Sequence, residues 1–522
     1  MDVNVRRDRD AVAFRRMNGG RFSEVMLAHW PVFALLAGLA ALMLAVSWFR
    51  RGTDSPEPAG TATIIGWALV FVAPPVVYVL ALASNFSVQA SIFAALMAAT
   101  GLLWIFSLVE EFVGPLIAVV GSLFVGLAPP EVALSGFSSP SLMLLVGVFA
   151  LSATISSSGL SYRLILRLLL RLPDKPFWHQ QALLLSGYAL SPMMPSANAR
   201  ISLLRPPYQD MVSALKLPAK GPGITALLAA LFGGAALFGP MMVTSKSSNI
   251  AALNFLPQQT QAEFNGIFWL EAAAAALVAV TAVHLFVIPR LFRSDREAPL
   301  PRAELTQTVA SMGPLRPAEW TAALAFLFFV LGSATVGWHH VKPAYLAGCV
   351  LLALLVTGTM LRKDFRSAID WPQIFFLLGL DSMVRIMDYL GLQRSLATAV
   401  RHTFDFIDGR IVVFILVALA VTLVIRLVLP VTAGALTSTV ILLPIAIAQG
   451  INPWICVFCA AIFSDIAFFR YQGTNGMLQL YSEGLIDEVD RKGFLRYTMV
   501  MNGARVAAVF ASIPWWGLLG LA

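Results

Sequence analysis

Two hydroxyl- and amide-bearing segments stand at matching places in an otherwise apolar chain: Ser196-Ala197-Asn198 running to Pro206, and Gly434-Ala435-Leu436-Thr437-Ser438-Thr439 running to Pro444. Each reaches its proline ten residues after its first small residue, and each lies between long apolar segments. Hydrocarbon tolerates broken, hydroxyl-rich backbone only where it is buried in protein or lines a water-filled cavity. Two such interruptions predict a transport site between two structural repeats. A further polar element follows in each half: Thr244-Ser245-Lys246-Ser247-Ser248-Asn249 in the first, Arg470-Tyr471-Gln472-Gly473-Thr474-Asn475-Gly476 in the second. Hydroxyls, amides and freed carbonyls are hard oxygen donors for an alkali cation, and N–H groups at half-helix N-termini suit a carboxylate or oxyanion. The binding candidates are therefore Ser196, Asn198, Thr244, Ser247, Ser248, Asn249, Thr437, Ser438, Thr439, Gln472, Thr474 and Asn475. Any single hydroxyl has an alternative role, bonding the local backbone at a helix end; the pairing of the segments is what singles these out.

Ionisable groups inside apolar segments form a second set, because a charge at the centre of a membrane helix costs about 2.5–3.5 kcal/mol on insertion scales and so faces protein or water. They are Asp381, Arg385, Asp388, Arg426, Asp465 and Arg505. The spacing of Asp381, Arg385 and Asp388 puts them on one helix face, where the acids neutralise the arginine, as a structural cluster or as a coupling element. Arg426 and Asp465 lie deeper and are expected to be close in space, as a static ion pair or a proton-linked gate. Glu271 and His284 fall near the ends of one helix, where side chains reach for the interface. Arg200, Arg205 and Arg470 flank the polar segments and could attract an anion or contact lipid phosphate. The chain has no phosphate-loop, zinc-protease or nucleophile-elbow motif, so no catalytic residues and no enzyme are expected. Cys349, Cys456 and Cys459 lie in apolar stretches and read as packing residues. No organic cofactor is predicted, and no metal beyond sodium as a coupling ion.

These residues need a membrane scaffold, and the composition supplies one. Apolar residues make up 58% of 522 positions, charged residues 12%, and mean hydropathy is +0.79, whereas soluble domains carry roughly 25% charge. The prediction is an all-α polytopic membrane protein. Fifteen apolar segments run from 28–49 to 498–520, and setting re-entrant hairpins aside leaves an expected ten to thirteen crossings of a core about 30 Å thick. Six arginines before residue 22 predict a cytoplasmic N-terminus by the positive-inside rule. The first apolar run reads as an anchor rather than a cleaved signal. The +8 net charge suits membrane lipids, and no basic soluble domain is present to bind nucleic acid.

The chain divides into a cytoplasmic tail (1–27), leader helices (28–134), a first repeat (135–288), a polar linker (289–317) and a second repeat with a C-terminal helix (318–522). Gly159 and Gly391 are 232 residues apart and Pro206 and Pro444 are 238 apart, which supports an internal duplication. From Tyr162 to Arg171 arginine recurs every four residues, as in a helix lying in the interface.

Over residues 135–485 the pattern resembles the divalent anion/sodium symporter family of the ion transporter superfamily. That family carries a Ser-Asn-Thr signature in each half with a proline ten residues on. Ser196 and Pro206 match the first copy, with Asn198 displaced by one. Pro444 matches the second, with hydroxyls at Thr437, Ser438 and Thr439. Thr244 to Asn249 and Tyr471-Gln472 to Asn475 look like the accompanying loops, and Lys246 places an ammonium where a sodium ion would sit. The resemblance implies an inverted-repeat ion transporter fold with re-entrant hairpins and broken helices, built as a homodimer. It implies secondary transport of a dicarboxylate, sulfate or other oxyanion coupled to sodium or protons, by elevator-type movement, in a bacterial inner membrane. The rival readings are a passive anion channel on the same fold and a non-transport assembly protein.

Overall fold

The computed structural model describes residues 61–84, 86–106, 108–264, 266–292, 302–392, 402–427, 429–468, 472–473 and 475–522. The basic tail, the first apolar run, Arg394, Arg401, Arg470, Tyr471, Thr474 and the Asn475 side chain lie outside the described residues. What is described is helical, with no strand among the described residues. Seven of its helices are long and apolar enough to cross a membrane, and four shorter apolar helices accompany them.

Two compact units divide the chain. The first takes residues 1–134 together with 385–392. Its helices are α1 (Thr61–Ala83), α2 (Val88–Ile105) and α3 (Val113–Val125). Ser87 caps α2 by accepting from the Ala90 N–H, and Gly126 in the left-handed region ends α3.

The second unit, residues 135–384 with 393–522, holds both repeats. In the first, α4 (Pro140–Ser158) and α5 (Leu160–Arg171) lead to α6 (Pro176–Leu190), α7 (Ala197–Ala214), α8 (Pro222–Ala236) and the short α9 (Ser247–Phe255). Then come α10 (Ile267–Leu291), α11 (Pro317–Ala334), α12 (Pro343–Val356) and α13 (Trp371–Tyr389), whose last residues count with the first unit. The second repeat continues as α14 (Ile411–Arg426), α15 (Val431–Ala448), α16 (Pro453–Phe463) and α17 (Asn475–Ser482), and α18 (Arg491–Ala511) follows. Gly159 and Gly391 both adopt the left-handed conformation, at φ 83° and 70°, just after α4 and α13. Only glycine takes that geometry without strain, so these two landmarks mark corresponding helix ends in the two halves.

The halves share one order: a break, a proline-containing helix (α7, α15), a buried helix (α8, α16), a loop and a half-helix (α9, α17). Every residue of α8 from Gly223 and of α16 from Trp454 is buried. Small residues bring the backbones together. A Cβ added at Gly187 would stand 2.3 Å from the Gly234 carbonyl carbon, and one at Gly147 would stand 2.3 Å from the Ala347 carbonyl oxygen. Close glycine contacts of this kind are how helices pack where lipid removes the hydrophobic drive between them.

Two expectations change. One of the fifteen apolar segments, read as continuous over 181–206, is not one span but α6 and α7 around a break at 191–196. The second break is not at Gly434–Thr439, which α15 crosses without interruption, but just before it, at Leu429 and Pro430. Proline disfavours helix in the residue before it, and Pro192, Pro195 and Pro430 sit within these two breaks. In the arginine-periodic helix α5 the three arginines do not share one environment. Arg163 is buried and donates to both carboxylate oxygens of Glu319, at 2.8 and 3.1 Å, and to the Gly313 carbonyl, while Arg167 and Arg171 stay exposed. A charge paired this way is tied to its partner instead of reaching for lipid headgroups.

Candidate functional site

A cavity of about 690 Å³, counted out to its open mouth, lies in the second unit. Pro195, Ser196, Ala197, Asn198 and Arg200 line it from the first break, and Lys246 and Ser247 from the start of α9. Asp370 and Gln373 line it from the start of α13, and Val431 and Thr432 from the start of α15. Four helix N-termini therefore open on one space. Each carries backbone N–H groups without an intrahelical acceptor and roughly half a positive charge from its dipole. Such ends bind anions readily.

Local sequence sets each terminus. Ser196 is the N-cap of α7 in extended geometry, its Oγ accepting from the Ala199 N–H. Asp370 Oδ1 accepts from the Gln373 N–H at the entry to α13. Pro430 precedes α15 and Lys246, also extended, precedes α9. The Ser247 N–H donates to the Pro195 carbonyl at 3.1 Å, which joins the first break to the loop.

The side chains add cations. Arg200 is buried, and its Nε donates to the Ala235 carbonyl at 2.8 Å. Its Nη1 donates to the carbonyls of Ser245, at 2.9 Å, and Met194. Lys246 Nζ donates to Asp465 Oδ1 at 2.7 Å and to the Ala461 carbonyl at 3.4 Å. Asp465 also lies within electrostatic reach of Arg200 and Arg505. The lining thus holds two cations, Arg200 and Lys246, and two carboxylates, Asp370 and Asp465, the last of them engaged by Lys246. Asn198 Oδ1 and Gln373 Nε2 are buried without a hydrogen-bond partner among the described residues. Unpaired polar atoms on a cavity wall are what a polar ligand would satisfy.

Of the sequence candidates, Ser196, Asn198 and Ser247 line the cavity with Lys246. Thr244 lines a separate small apolar pocket beside Gly266 and Phe329. Ser248 is buried outside the cavity lining. Asn249 is a clamp: its Nδ2 donates to the carbonyls of Gly239 and Met242 at 2.9 and 3.0 Å. Ser438 and Thr439 donate to the carbonyls one turn back, Gly434 and Ala435, at 2.7 and 2.9 Å. Those bonds use the hydroxyl protons within α15, and neither these two residues nor Thr437 on the same helix lines the cavity. Gln472 is also structural, accepting from the Phe468 N–H and donating to the Arg426 carbonyl.

The charge candidates separate as well. Asp465 takes Lys246 as its ammonium partner, while Arg426 Nε donates to the neighbouring Ser464 carbonyl at 2.8 Å. Asp381 is buried in α13 and Arg385, four residues on, is exposed. Arg205 pairs with Glu483 at 3.4 Å, outside the cavity lining. His284 does not reach for an interface; it is buried, its Nδ1 2.8 Å from the Tyr497 hydroxyl. Asp370, Gln373 and Thr432 were missed as site residues. The signal was present at α13, where Asp370-Trp371-Pro372-Gln373 reads as a capped, proline-started helix N-terminus.

The sequence profile of the citrate transporter family matches residues 101–462, well over half of the chain. A "Membrane protein" of Cupriavidus necator is 24% identical over 425 residues, covering 80% of this chain and 78% of that one. The "Putative malate transporter YflS" of Bacillus subtilis is 22% identical over 280 residues, covering 52% of this chain and 59% of its own length. Among solved structures, the YdaH transporter of Alcanivorax borkumensis aligns with a TM-score of 0.47 and 16% identity, covering 77% of this chain and 90% of that one.

Proposed function

The chain belongs to the citrate transporter family, a family of transporters and not of enzymes, and on that premise we propose that it is a secondary active carrier of a small carboxylate or related oxyanion. One observation carries the reading: four helix N-termini, Arg200 and Lys246 converge on one cavity. In this reading the N–H groups near Asn198, Ser247 and Thr432 meet the carboxylates, the Asn198 and Gln373 side chains fix orientation, and Arg200 supplies charge from below. Neutralised in this way, the anion loses its cost of entering a low-dielectric interior.

Coupling to a sodium or proton gradient, elevator-type displacement of inverted repeats, a homodimer, and placement in a bacterial inner membrane with a cytoplasmic N-terminus belong to the same proposal. Bound anion must favour transfer of the mobile part, since a ligand shifts a conformational equilibrium only through its different affinity for the two states. The name of the Bacillus subtilis relative supports a carboxylate over sulfate. The test is uptake of radiolabelled citrate, malate and sulfate into proteoliposomes under an imposed sodium or pH gradient. Accumulation above equilibrium of at least one carboxylate is expected. Equilibration without accumulation would replace the carrier by a passive route, and no uptake of any of the three would end the proposal.

A further inference from the structure

Each half of the second unit contains the same set of three backbone carbonyls gathered on a cation. In the first half, Arg200 donates to Met194 in the break, to Ala235 at the end of α8 and to Ser245 in the loop before α9. In the second, Arg426 donates to Leu429 in the break, to Ser464 at the end of α16 and to Gln472 in the loop before α17. The paired carbonyls are 235, 229 and 227 residues apart, close to the offset of the duplication itself. Both arginines are about 1% exposed.

The arginines themselves are not equivalent in position. Arg200 lies within α7, after the first break, whereas Arg426 ends α14, before the second. What repeats is the carbonyl set, and a guanidinium reaches it from opposite sides. Carbonyls at a break and at a helix C-terminus have unshared lone pairs and stand at the negative end of the helix dipole. Brought together, they need donors or a cation to satisfy them. Three hard oxygens from unwound backbone and a helix end are also the donor set that suits an alkali cation.

Resting on the carrier reading above and narrowing its coupling, we propose that Arg200 and Arg426 are built-in cations: each permanently fills a carbonyl cage that would otherwise take an alkali ion, so the protein binds and carries its anion without sodium or potassium at either cage. Arg200 occupies its cage while also lining the anion cavity, so the charge that a bound ion would bring on each cycle is already in the wall. Lys246 on Asp465 adds a third fixed cation beside it.

The test begins with purified wild-type protein and no anion substrate. Thermal unfolding is compared in sodium, potassium and choline chloride at equal ionic strength. The three curves are expected to coincide, and a saturable rise in melting temperature with sodium or potassium overturns the proposal, because a ligand of the folded state must stabilise it. Arg426→Ala empties one cage and is expected to gain a sodium- or potassium-dependent rise that wild type lacks. A folded R426A protein without that gain overturns the cation-cage reading. Should R426A not fold, the wild-type comparison still decides. Arg200→Lys retains a cation and is expected to stay insensitive to both ions. These measurements contain no transported anion, so they stand or fall separately from the uptake assay. In that assay, uptake that collapses when choline replaces sodium also counts against built-in cations.

Discussion

Lys246 of the first repeat and Asp465 of the second are joined Nζ to Oδ1 at 2.7 Å, 219 residues apart, on the wall of the cavity. The lysine side chain is 16% exposed and the aspartate 6%. Removing one member of a buried pair leaves the other charge uncompensated, at a cost of about 3–5 kcal/mol. Asp465→Asn and Lys246→Met are therefore each expected to lower the melting temperature strongly. The double variant K246M/D465N should recover much of the loss, since it strands no charge. A double variant no more stable than the worse single one would show that the pair does not act as a unit.

Asn198 is expected to behave differently. It lines the cavity and makes no side-chain hydrogen bond among the described residues, so its Nδ2, the donor of its amide, is left for a ligand. With carboxylate as acceptor its amide would contribute a charge-assisted bond, about 1.5–3 kcal/mol. Asn198→Ala should then raise the KM for uptake roughly 10–100-fold with an unchanged melting temperature. An unchanged KM would remove Asn198 from the anion site.

Ser438→Ala and Thr439→Val should leave transport nearly intact. Both hydroxyls are consumed by carbonyls one turn back within α15, bonds that contribute no more than about 1 kcal/mol net. Uptake measured in membranes with matched expression checks this, and a large loss would mean that α15 rearranges during transport.

The contrast between those two predictions shows where the sequence was readable. The two-fold order of elements, the glycines that end α4 and α13, and the polar segments at Ser196 and Lys246 that line the cavity were legible, because prolines, left-handed glycines and apolar run lengths are local signals. Gly434–Thr439 looked like a break because it is rich in small and hydroxyl residues. Inside a helix those hydroxyls close on their own backbone, and Pro430 moves the break upstream. The Lys246–Asp465 pair was not readable, since nothing local chooses between Lys246 and Arg426 as the partner of Asp465. The partner of Arg163 was not legible for the same reason: a four-residue period gives the face of a helix but not the Glu319 that lies opposite it.

That pair gives a further expectation. Arg163 holds Glu319 through two parallel bonds while its Nη1 donates to the Gly313 carbonyl at 2.6 Å. Glu319 in turn accepts from the Arg316 N–H at the start of α11. Arg163→Ala would strand a carboxylate that is almost wholly buried, at a cost of about 3–5 kcal/mol, and would free the chain around Gly313. Limited proteolysis near residues 312–316 should become faster in this variant. Cleavage at the wild-type rate would show that the arginine is not what holds the segment.

Asn249 provides the sharpest separation of scaffold from site. Its Nδ2 holds the carbonyls of Gly239 and Met242, and that loop carries Ser245, whose carbonyl receives Arg200. Loss of the amide frees two buried carbonyls at about 1–3 kcal/mol each and loosens the cage around the arginine. Asn249→Ala should therefore lower the melting temperature and the amount of folded carrier, while the KM of the molecules that remain folded shifts little. Asn249→Asp cannot donate those bonds and would add a buried charge, so it should be worse than alanine. A variant with normal stability and a raised KM would move Asn249 from the loop's support to the anion's contact list.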